Sequence, residues 1–445
     1  MTTKMHIGYD LSWMQLEGRW RLPGSWTNAV YPDFRIFREL ALIAERGLLD
    51  FMFWGDGTGI PSTWQGNRDD AVRWGVGWPR LDMSPYISAL SQVTSRIGFG
   101  LTYSSTYMHP FYTSRLLNSL DHITNGRMAF NVVASSRRAD AANYGFDELM
   151  EHGQRYERME EFMAICKALW ASVEPDAFMW NRETGQMADP AKVKAINHRG
   201  QFFNVAGPLA SVPSPQGRPV LVQAGASPRG IQASANFADL AFAASPGLKQ
   251  QVKHRADLDA ALVAQGRDPA TMGIIWDVVL IVGETDAEAK RRHEQLLTAV
   301  PIEAVGAFMS HQCGYDLSKL PDTFTIEEIN AQIVKSNASP VGFLNMTNHF
   351  DPKETVTKKD FYELIRQHTA GYDHAIVGSP ETIADYLEEV FVATGERGGF
   401  MIAHPPAVPR DLLMVIDFLI PELQRRGRFR TEYRYPTLRE NLLDS

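Results

Sequence analysis

The fold this sequence predicts is one closed (β/α)₈ barrel of the TIM type, and three observations predict it. Short apolar runs and helical patterns alternate eight times along the chain. No internal repeat divides the chain into halves, which favours one closed barrel over two open sheets. Polar residues recur directly behind the apolar runs, as they do where barrel strands deliver their carboxyl ends to one mouth. The 445 residues are read as one domain, 1–445, with insertions at 172–216 and 300–372 and a tail at 427–445.

Residues 5–10, Met-His-Ile-Gly-Tyr-Asp, form the first strand. From Pro32, Phe34, Phe37, Leu40, Ala41 and Ala44 recur near a 3.6 period until Gly47 stops the helix. Leu49 to Trp54 is the second strand, and the loop Gly55-Asp56-Gly57-Thr58-Gly59 sets Asp56 at its carboxyl end. A carboxylate there serves a ligand, a tight turn or a helix cap, and residue type alone leaves all three open. Seven of the ten tryptophans fall in the first eighty residues, mostly in loop-like segments. Rings in loops suggest a lined cavity, with packing at the barrel bottom or a subunit contact as the alternative. Pro85 to Ser95 is helical, Ile97 to Thr102 is the third strand, and the helix from Phe111 to Ile123 stops at Asn125-Gly126.

The fourth strand, Met-Ala-Phe-Asn-Val-Val at 128–133, is apolar except for Asn131. A buried amide without partners costs a few kcal/mol, so something polar must meet it. Ser135, Ser136, Arg137 and Arg138 follow, and then His152 and Tyr156 open the next helix at i, i+4, on one face of one turn. That helix runs to about Trp170, and the insertion behind it holds a small hairpin around Gly200-Gln-Phe-Phe-Asn-Val.

Pro219 to Ala224 is the fifth strand, and it runs into Gly225-Ala-Ser227-Pro-Arg-Gly230 at a helix start. Small residues and free N–H groups there make a phosphate seat, although a plain strand-to-helix turn also uses Gly and Ser. Residues 238–243 and 274–282 are strands six and seven, with a helix from Gly247 to Gly266 between them. Thr285 caps a helix over 286–298, with Glu288 placed as in a capping box. The second insertion reads as helical fragments and polar loops, including His311 and Cys313, and a short helix starts after Gly378. Strand eight is 399–404 and helix eight runs from Val408 to Arg425; the charged, aromatic tail is expected to wrap a partner subunit.

Composition narrows the function. With 52 acidic against 44 basic residues, a net charge of −8 and no basic stripe, nucleic acid is not the expected partner. Two cysteines make neither a disulfide framework nor a metal cluster, and no metal site is expected. No stretch approaches the roughly 20 apolar residues of a membrane span, and the cytoplasm is the expected compartment. No Walker loop, His-Glu-x-x-His, Cys-x-x-Cys, Gly-x-Ser-x-Gly or dinucleotide fingerprint is present. A phosphorylated cofactor across the barrel mouth accounts for the polar strand ends together, and it would carry most of the chemistry.

Five segments then carry a resemblance. They are Asp50-Phe-Met-Phe-Trp-Gly-Asp56; Ile97-Gly-Phe-Gly-Leu-Thr102 through Pro110-Phe111; Leu120-Asp-His-Ile-Thr-Asn-Gly-Arg127 with Asn131-Val-Val; His152-x-x-Arg-Tyr156; and Gln223-Ala-Gly-Ala-Ser227. In this order they resemble the nitrilotriacetate monooxygenase component A and dibenzothiophene sulfone monooxygenase family, within the bacterial luciferase-like superfamily. The resemblance covers about residues 5–405 and is weakest in 172–198 and 300–370. Where members usually carry Trp-Asn-Val-Val-Thr-Ser, this chain has Phe130-Asn-Val-Val-Ala-Ser135, a departure expected to bear on the substrate.

The resemblance implies a flavin-dependent monooxygenase that takes FMNH₂ from a separate NAD(P)H:flavin reductase and uses O₂ as co-substrate, as a homodimer or homotetramer. It implies FMN contacts at Asp56, Thr102, His152, Tyr156 and Ser227. Ser227 and the Tyr156 hydroxyl suit the phosphate, Asp56, Thr102 and His152 suit the ring edge or ribityl hydroxyls, and Asn131 can donate and accept near the flavin. His152 or His311 is the expected proton donor in a closed, dry pocket, although His311 also reads as a surface loop residue. The expected substrate is a small organosulfur, amine or aminocarboxylate, or aromatic compound. Rival readings are a deazaflavin-dependent oxidoreductase on the same barrel, a non-catalytic flavin-binding protein, and a phosphate-binding barrel lyase.

Overall fold

The computed structural model describes residues 3–12, 20–22, 24–25, 31–135, 137–225, 227–243, 247–335, 343, 347, 350–368, 375–403 and 409–443. Among them, eight parallel strands close a barrel. These are β1 (His6–Asp10), β2 (Phe51–Trp54), β3 (Gly98–Ser104), β4 (Met128–Val133), β5 (Val220–Ala224), β6 (Leu240–Ala243), β7 (Gly273–Val282) and β8 (Gly398–Ala403). Neighbours in the chain are neighbours in the sheet, and β8 returns to β1 in a register running from His6 opposite Gly399 to Asp10 opposite Ala403. The expected (β/α)₈ barrel is the observed one. A short extra parallel strand, Ile376–Gly378, lies on β7 outside the ring.

The outer helices are α1 (Phe34–Arg46), α2 (Ser84–Leu90), α3 (Pro110–Ile123), α4 (His152–Trp170), α5 (Pro228–Phe237), α6 (Leu248–Ala264) and α7 (Asp286–Thr298). After the inserted α8 (Ile302–Cys313) come α9 (Pro380–Ala393) and α10, which spans Pro409–Met414, Val415–Leu419 and Ile420–Arg425. The helix after Gly378, expected to be short, is therefore fourteen residues long. Caps follow residue chemistry: Asp33 accepts from Arg35 N at 2.8 Å, and Thr285 Oγ1 accepts from Glu288 N at 3.3 Å. Glu288 itself pairs with Arg410 at 3.0 Å, so only half of a capping box forms. The π-turn at Val415–Leu419 precedes Pro421, which has no N–H to continue an α-helical ladder.

Successive residues of a buried strand face opposite ways, and here the alternation builds two cores. Ile7, Tyr9, Phe99, Phe130 and Trp276 pack outward against the helices. Phe51, Phe53, Ala129, Val222, Ile275 and Met401 fill the barrel interior. Phe130 thus belongs to the outer layer. An indole replaced by a phenyl there changes the packing between the barrel and its helices.

The tail also departs from expectation, because it packs on its own barrel. Leu438 and Leu442, from the helix Leu438–Leu443, join the interior core beside Phe51 and Ala129 and close the barrel's foot. Arg430 pairs with buried Asp50, which also meets His6 Nδ1 at 3.0 Å, and Tyr433 donates to Leu49 O at 2.6 Å.

The first insertion contains the expected hairpin, His198–Arg199 against Asn204–Val205. Glu161 of α4 anchors it by accepting from Phe202 N at 3.0 Å and Phe203 N at 2.9 Å. The second insertion has its own apolar core. Val305, Met309 and Cys313 of α8 pack with Phe324, Ile329 and Phe361, and with Trp64 from the loop after β2. Cys313, expected in a polar loop, ends α8 and is buried. A Cβ on Gly306 would stand 2.7 Å or less from the Trp64 ring, so α8 seats directly on that indole. Of the early tryptophans, Trp64 and Trp74 build this core and Trp54 stacks on Phe99 at 6.4 Å, while Trp13 and Trp26 lie outside the described residues. Trp54, Trp64 and Trp74 thus pack elements together, where a cavity lining had been expected, and Trp78 is exposed.

Candidate active site

Alternation along the strands puts Asp10, Thr102, Asn131 and Asp277 inside the ring, above the apolar interior and toward the carboxyl ends. Thr102 and Asn131 are register partners, and Asn131 Nδ2 donates to Thr102 Oγ1 at 3.0 Å. Asn131 Oδ1 is buried and has no hydrogen-bond partner among the described residues. Asp10 accepts from Ser12 N at 2.7 Å and from Ser12 Oγ, which in turn accepts from Gly55 N at 2.5 Å, tying the mouth of β1 to that of β2. Burial raises both the Asp10 and Asp277 carboxyls, and the charge of Asp10 raises Asp277 further, so this pair retains a proton more readily than ordinary carboxylates. Sequence reasoning missed both. The signal was present, since each is a polar residue in an apolar run, as Asn131 is.

A second group gathers where α4 and α5 begin. Tyr156 is 9% exposed, its ring centroid lies 5.1 Å from that of His152, and the Arg229 guanidinium sits 5.5 Å over it. Arg229 is held by Glu160 in a two-bond pair at 2.7 and 2.8 Å, which links α4 to α5. Ser227 caps α5 by accepting from Gly230 N at 3.1 Å, and its O–H remains able to donate. His152 stands at the exposed rim. Partial burial, then Arg155 and Arg229, lower its pKa, so it is neutral at neutral pH. The predicted trio His152, Tyr156 and Ser227 is brought together.

Asp56 lies in a third group, a narrow cleft with Tyr103, Tyr107, Asp140 and Tyr144. Its carboxylate accepts from Gly57 N at 2.8 Å, and burial raises its pKa. Tyr107 and Tyr144 stack at 4.8 Å and wall this cleft.

His311 is not a surface loop residue. It sits near the end of α8 in a cleft with Arg80 and Arg137. Burial and the guanidiniums of Arg137 and Arg80 push it down to about 3. It is therefore a neutral imidazole at neutral pH, with one ring N–H to donate. Ser135 has a left-handed φ of 22° at the mouth, and Ser136 lies outside the described residues.

One recognised segment does other work. Asp121 accepts from Met128 N at 3.1 Å, and Arg127 donates to Thr124 O at 2.6 Å and Ile97 O at 2.8 Å, at the amino ends of the strands. Residues on that side of a barrel serve stability.

The family model described as luciferase-like monooxygenase matches residues 16–397. The chain belongs to the luciferase-like monooxygenase family. Nitrilotriacetate monooxygenase component A of Aminobacter aminovorans is 35% identical over 435 residues, covering 96% of this chain and 93% of that protein. The crystal structure of a long-chain alkane monooxygenase matches with a TM-score of 0.87 at 30% identity, covering 99% of this chain and 96% of that one. The crystal structure of riboflavin lyase with modified FMN and substrate riboflavin matches at 0.86 and 28% identity, again covering 99% of this chain and 96% of that one.

As a luciferase-like monooxygenase the protein is a flavin-dependent enzyme, and the mouth residues fit a flavin nucleotide. Asn131 Oδ1 is a buried acceptor awaiting an N–H, which a flavin ring presents at its edge. The α5 amino terminus, with Ser227, offers the donors a phosphate takes.

Proposed function

We propose that the protein is the oxygenase component of a two-component monooxygenase, which captures FMNH₂ made by a separate NAD(P)H:flavin reductase and oxygenates a small organic molecule. The observation that carries this reading is the orphaned Asn131 Oδ1, buried in the barrel mouth beside Thr102. The modified FMN named for riboflavin lyase and the word "component" in the name of the nitrilotriacetate enzyme support it.

Ser227 and Tyr156 hold the phosphate, the hydroxyl of Tyr156 making no other hydrogen bond among the described residues. Thr102 and Asn131 hold the ring edge, and Asp56 and His152 meet the ribityl hydroxyls or the ring. The chemistry that bound FMNH₂ supplies is a pair of electrons, with which O₂ places one oxygen in the substrate and leaves the other as water. The protein's own part is orientation and dryness: α8, which packs on the loop after β2, is the element assigned to shield the mouth, and reduced flavin with O₂ in contact with water would end as hydrogen peroxide. His152, neutral at neutral pH, holds or passes a proton at a ring nitrogen. Neutral His311 contributes a hydrogen bond. A cytoplasmic homodimer or homotetramer is part of this reading. Exposed Met179, Trp180 and Met187 on the first insertion support the assembly, and no described helix is long and apolar enough to cross a membrane.

Anaerobic titration with FMNH₂ and with a reduced deazaflavin, followed by oxygen uptake with a flavin reductase, NADH and a substrate panel, tests the proposal. Saturable FMNH₂ binding and an oxygenated product by mass are expected. Tight deazaflavin binding with indifference to FMNH₂, or flavin binding without any product, overturns it.

A further inference from the structure

Register across the barrel shows what stands beside Asp10 at the mouth. Its partners are Phe53 on β2 and then Gly100 on β3 in one direction, and Ala403 on β8 and then Val279 on β7 in the other. Strand tilt shifts equal height by about one residue per strand in a barrel of this kind. The residues level with Asp10 are therefore Thr102 on β3, Ala224 on β5 and Asp277 on β7, an inward layer drawn from alternate strands. The layer beneath it is Phe53, Asn131, Phe242 and Met401. Asp10 and Asp277 are thus two carboxyls side by side, and the other side chains of both layers carry no charge.

Asp277 makes no hydrogen bond or ion pair among the described residues, and its Oδ1 is buried. Ala224, its other neighbour in the layer, brings only a methyl group. The residue is still partly exposed, so the mouth opens on its carboxyl. Asp10 is better provided. Ser12 donates to it twice, and among the described residues the charge of Arg80 reaches it, whereas no cation's charge reaches Asp277. A buried carboxyl with no donor and a second carboxyl beside it keeps its proton instead of ionising. The negative charge then settles on Asp10 and the proton on Asp277.

We propose that Asp10 and Asp277 hold one proton between them at neutral pH and are the acid of the oxygenation, level with Thr102 and one layer above Asn131. As the O–O bond breaks, one oxygen joins the substrate, and the other takes the proton of Asp277 and leaves as water. That water takes up the two hydrogens FMNH₂ brings, one of them by way of the pair, so Asp277 is protonated again at the end. The proton's acceptor rests on the monooxygenase reading; its residence on the pair does not.

Infrared difference spectra of the full chain without flavin, wild type minus variant, test that residence. A protonated-carboxyl band is expected at pH 7, and Asp277→Asn is expected to remove it. Asp10→Asn, which withdraws the neighbouring charge, is expected to keep the band but to lose it at lower pH on alkaline titration. Under turnover with a flavin reductase and NADH, Asp277→Asn is expected to form product about a hundredfold more slowly, with FMNH₂ affinity within about threefold and the O₂ consumed appearing as hydrogen peroxide. Wild-type product formation is expected to fall as rising pH removes the band, and the residual rate of Asp277→Asn to stay flat. Should Asp277→Asn fail to fold, the shift in Asp10→Asn decides. No band at pH 7, a band unmoved in Asp10→Asn, or full product formation in Asp277→Asn overturns the proposal. So does a loss of FMNH₂ affinity that matches the loss of product, which would make the pair a cofactor contact. A wild type that shows the band but yields no product from any substrate defeats the oxygenase reading and the role drawn from it, and leaves the shared proton standing.

Discussion

At the scale of single residues, Ser227 shows how one side chain serves two ends. Its hydroxyl caps α5, so Ser227→Ala is expected to cost about 1 kcal/mol of stability besides any loss of flavin affinity, and cannot separate the two roles. Ser227→Asp can. Aspartate caps a helix as well as serine does, but it sets a negative charge where a phosphate would lie. The variant is expected to show the wild-type urea midpoint and at least about tenfold weaker FMNH₂ capture. Unchanged capture would place the phosphate elsewhere. Asn131 was legible because it breaks an apolar strand, and Asp10 and Asp277 carried the same mark. Arg80 was not legible, since it becomes a site residue only when a loop folds it over Gly57, and nothing in its neighbours Pro79 and Leu81 announces that contact.

At the scale of elements, the strands were legible to within a residue or two, because a strand buried on both faces must be an apolar run. The helix α8 was read as fragments and loop for the opposite reason. Its sequence, Ile-Glu-Ala-Val-Gly-Ala-Phe-Met-Ser-His-Gln-Cys, has little polar face, and the partner that buries it, Trp64, is far away in the chain. Gly306 fixes how closely α8 approaches that indole. Gly306→Val is expected to lift the lid at a cost of about 1–3 kcal/mol of overpacking while the barrel stays folded. Under turnover it should shift oxygen consumption from product toward hydrogen peroxide, measured as peroxide formed per O₂ consumed. Unaltered coupling would show that α8 is not what keeps the pocket dry. The tail helix was illegible because Leu438 and Leu442 need an open barrel foot to fill, a vacancy only the closed sheet defines.

At the scale of the molecule, one buried clasp joins the first strand, the second and the tail: His6, Asp50 and Arg430. Burial and then Arg430 hold the His6 imidazole down at about 3 in the folded chain, against 6.5 for the free side chain. As pH falls, the unfolded chain takes this proton first, so stability is lost from about pH 6.5 toward pH 3. This histidine alone is expected to remove roughly 2 kcal/mol between pH 7 and pH 5. Urea melts at the two pH values check the figure, and His6→Gln, which keeps a donor for Asp50 but cannot titrate, should flatten the difference. An equally steep difference in that variant would move the acid sensitivity to other groups. The same closure bears on biosynthesis. The edge of β1 waits for β8, and the foot waits for the helix Leu438–Leu443, so a nascent chain leaves the ribosome with a strand edge and apolar side chains uncovered until those residues have been made. Shielding by chaperones during that interval is then part of what the cell supplies to make this barrel.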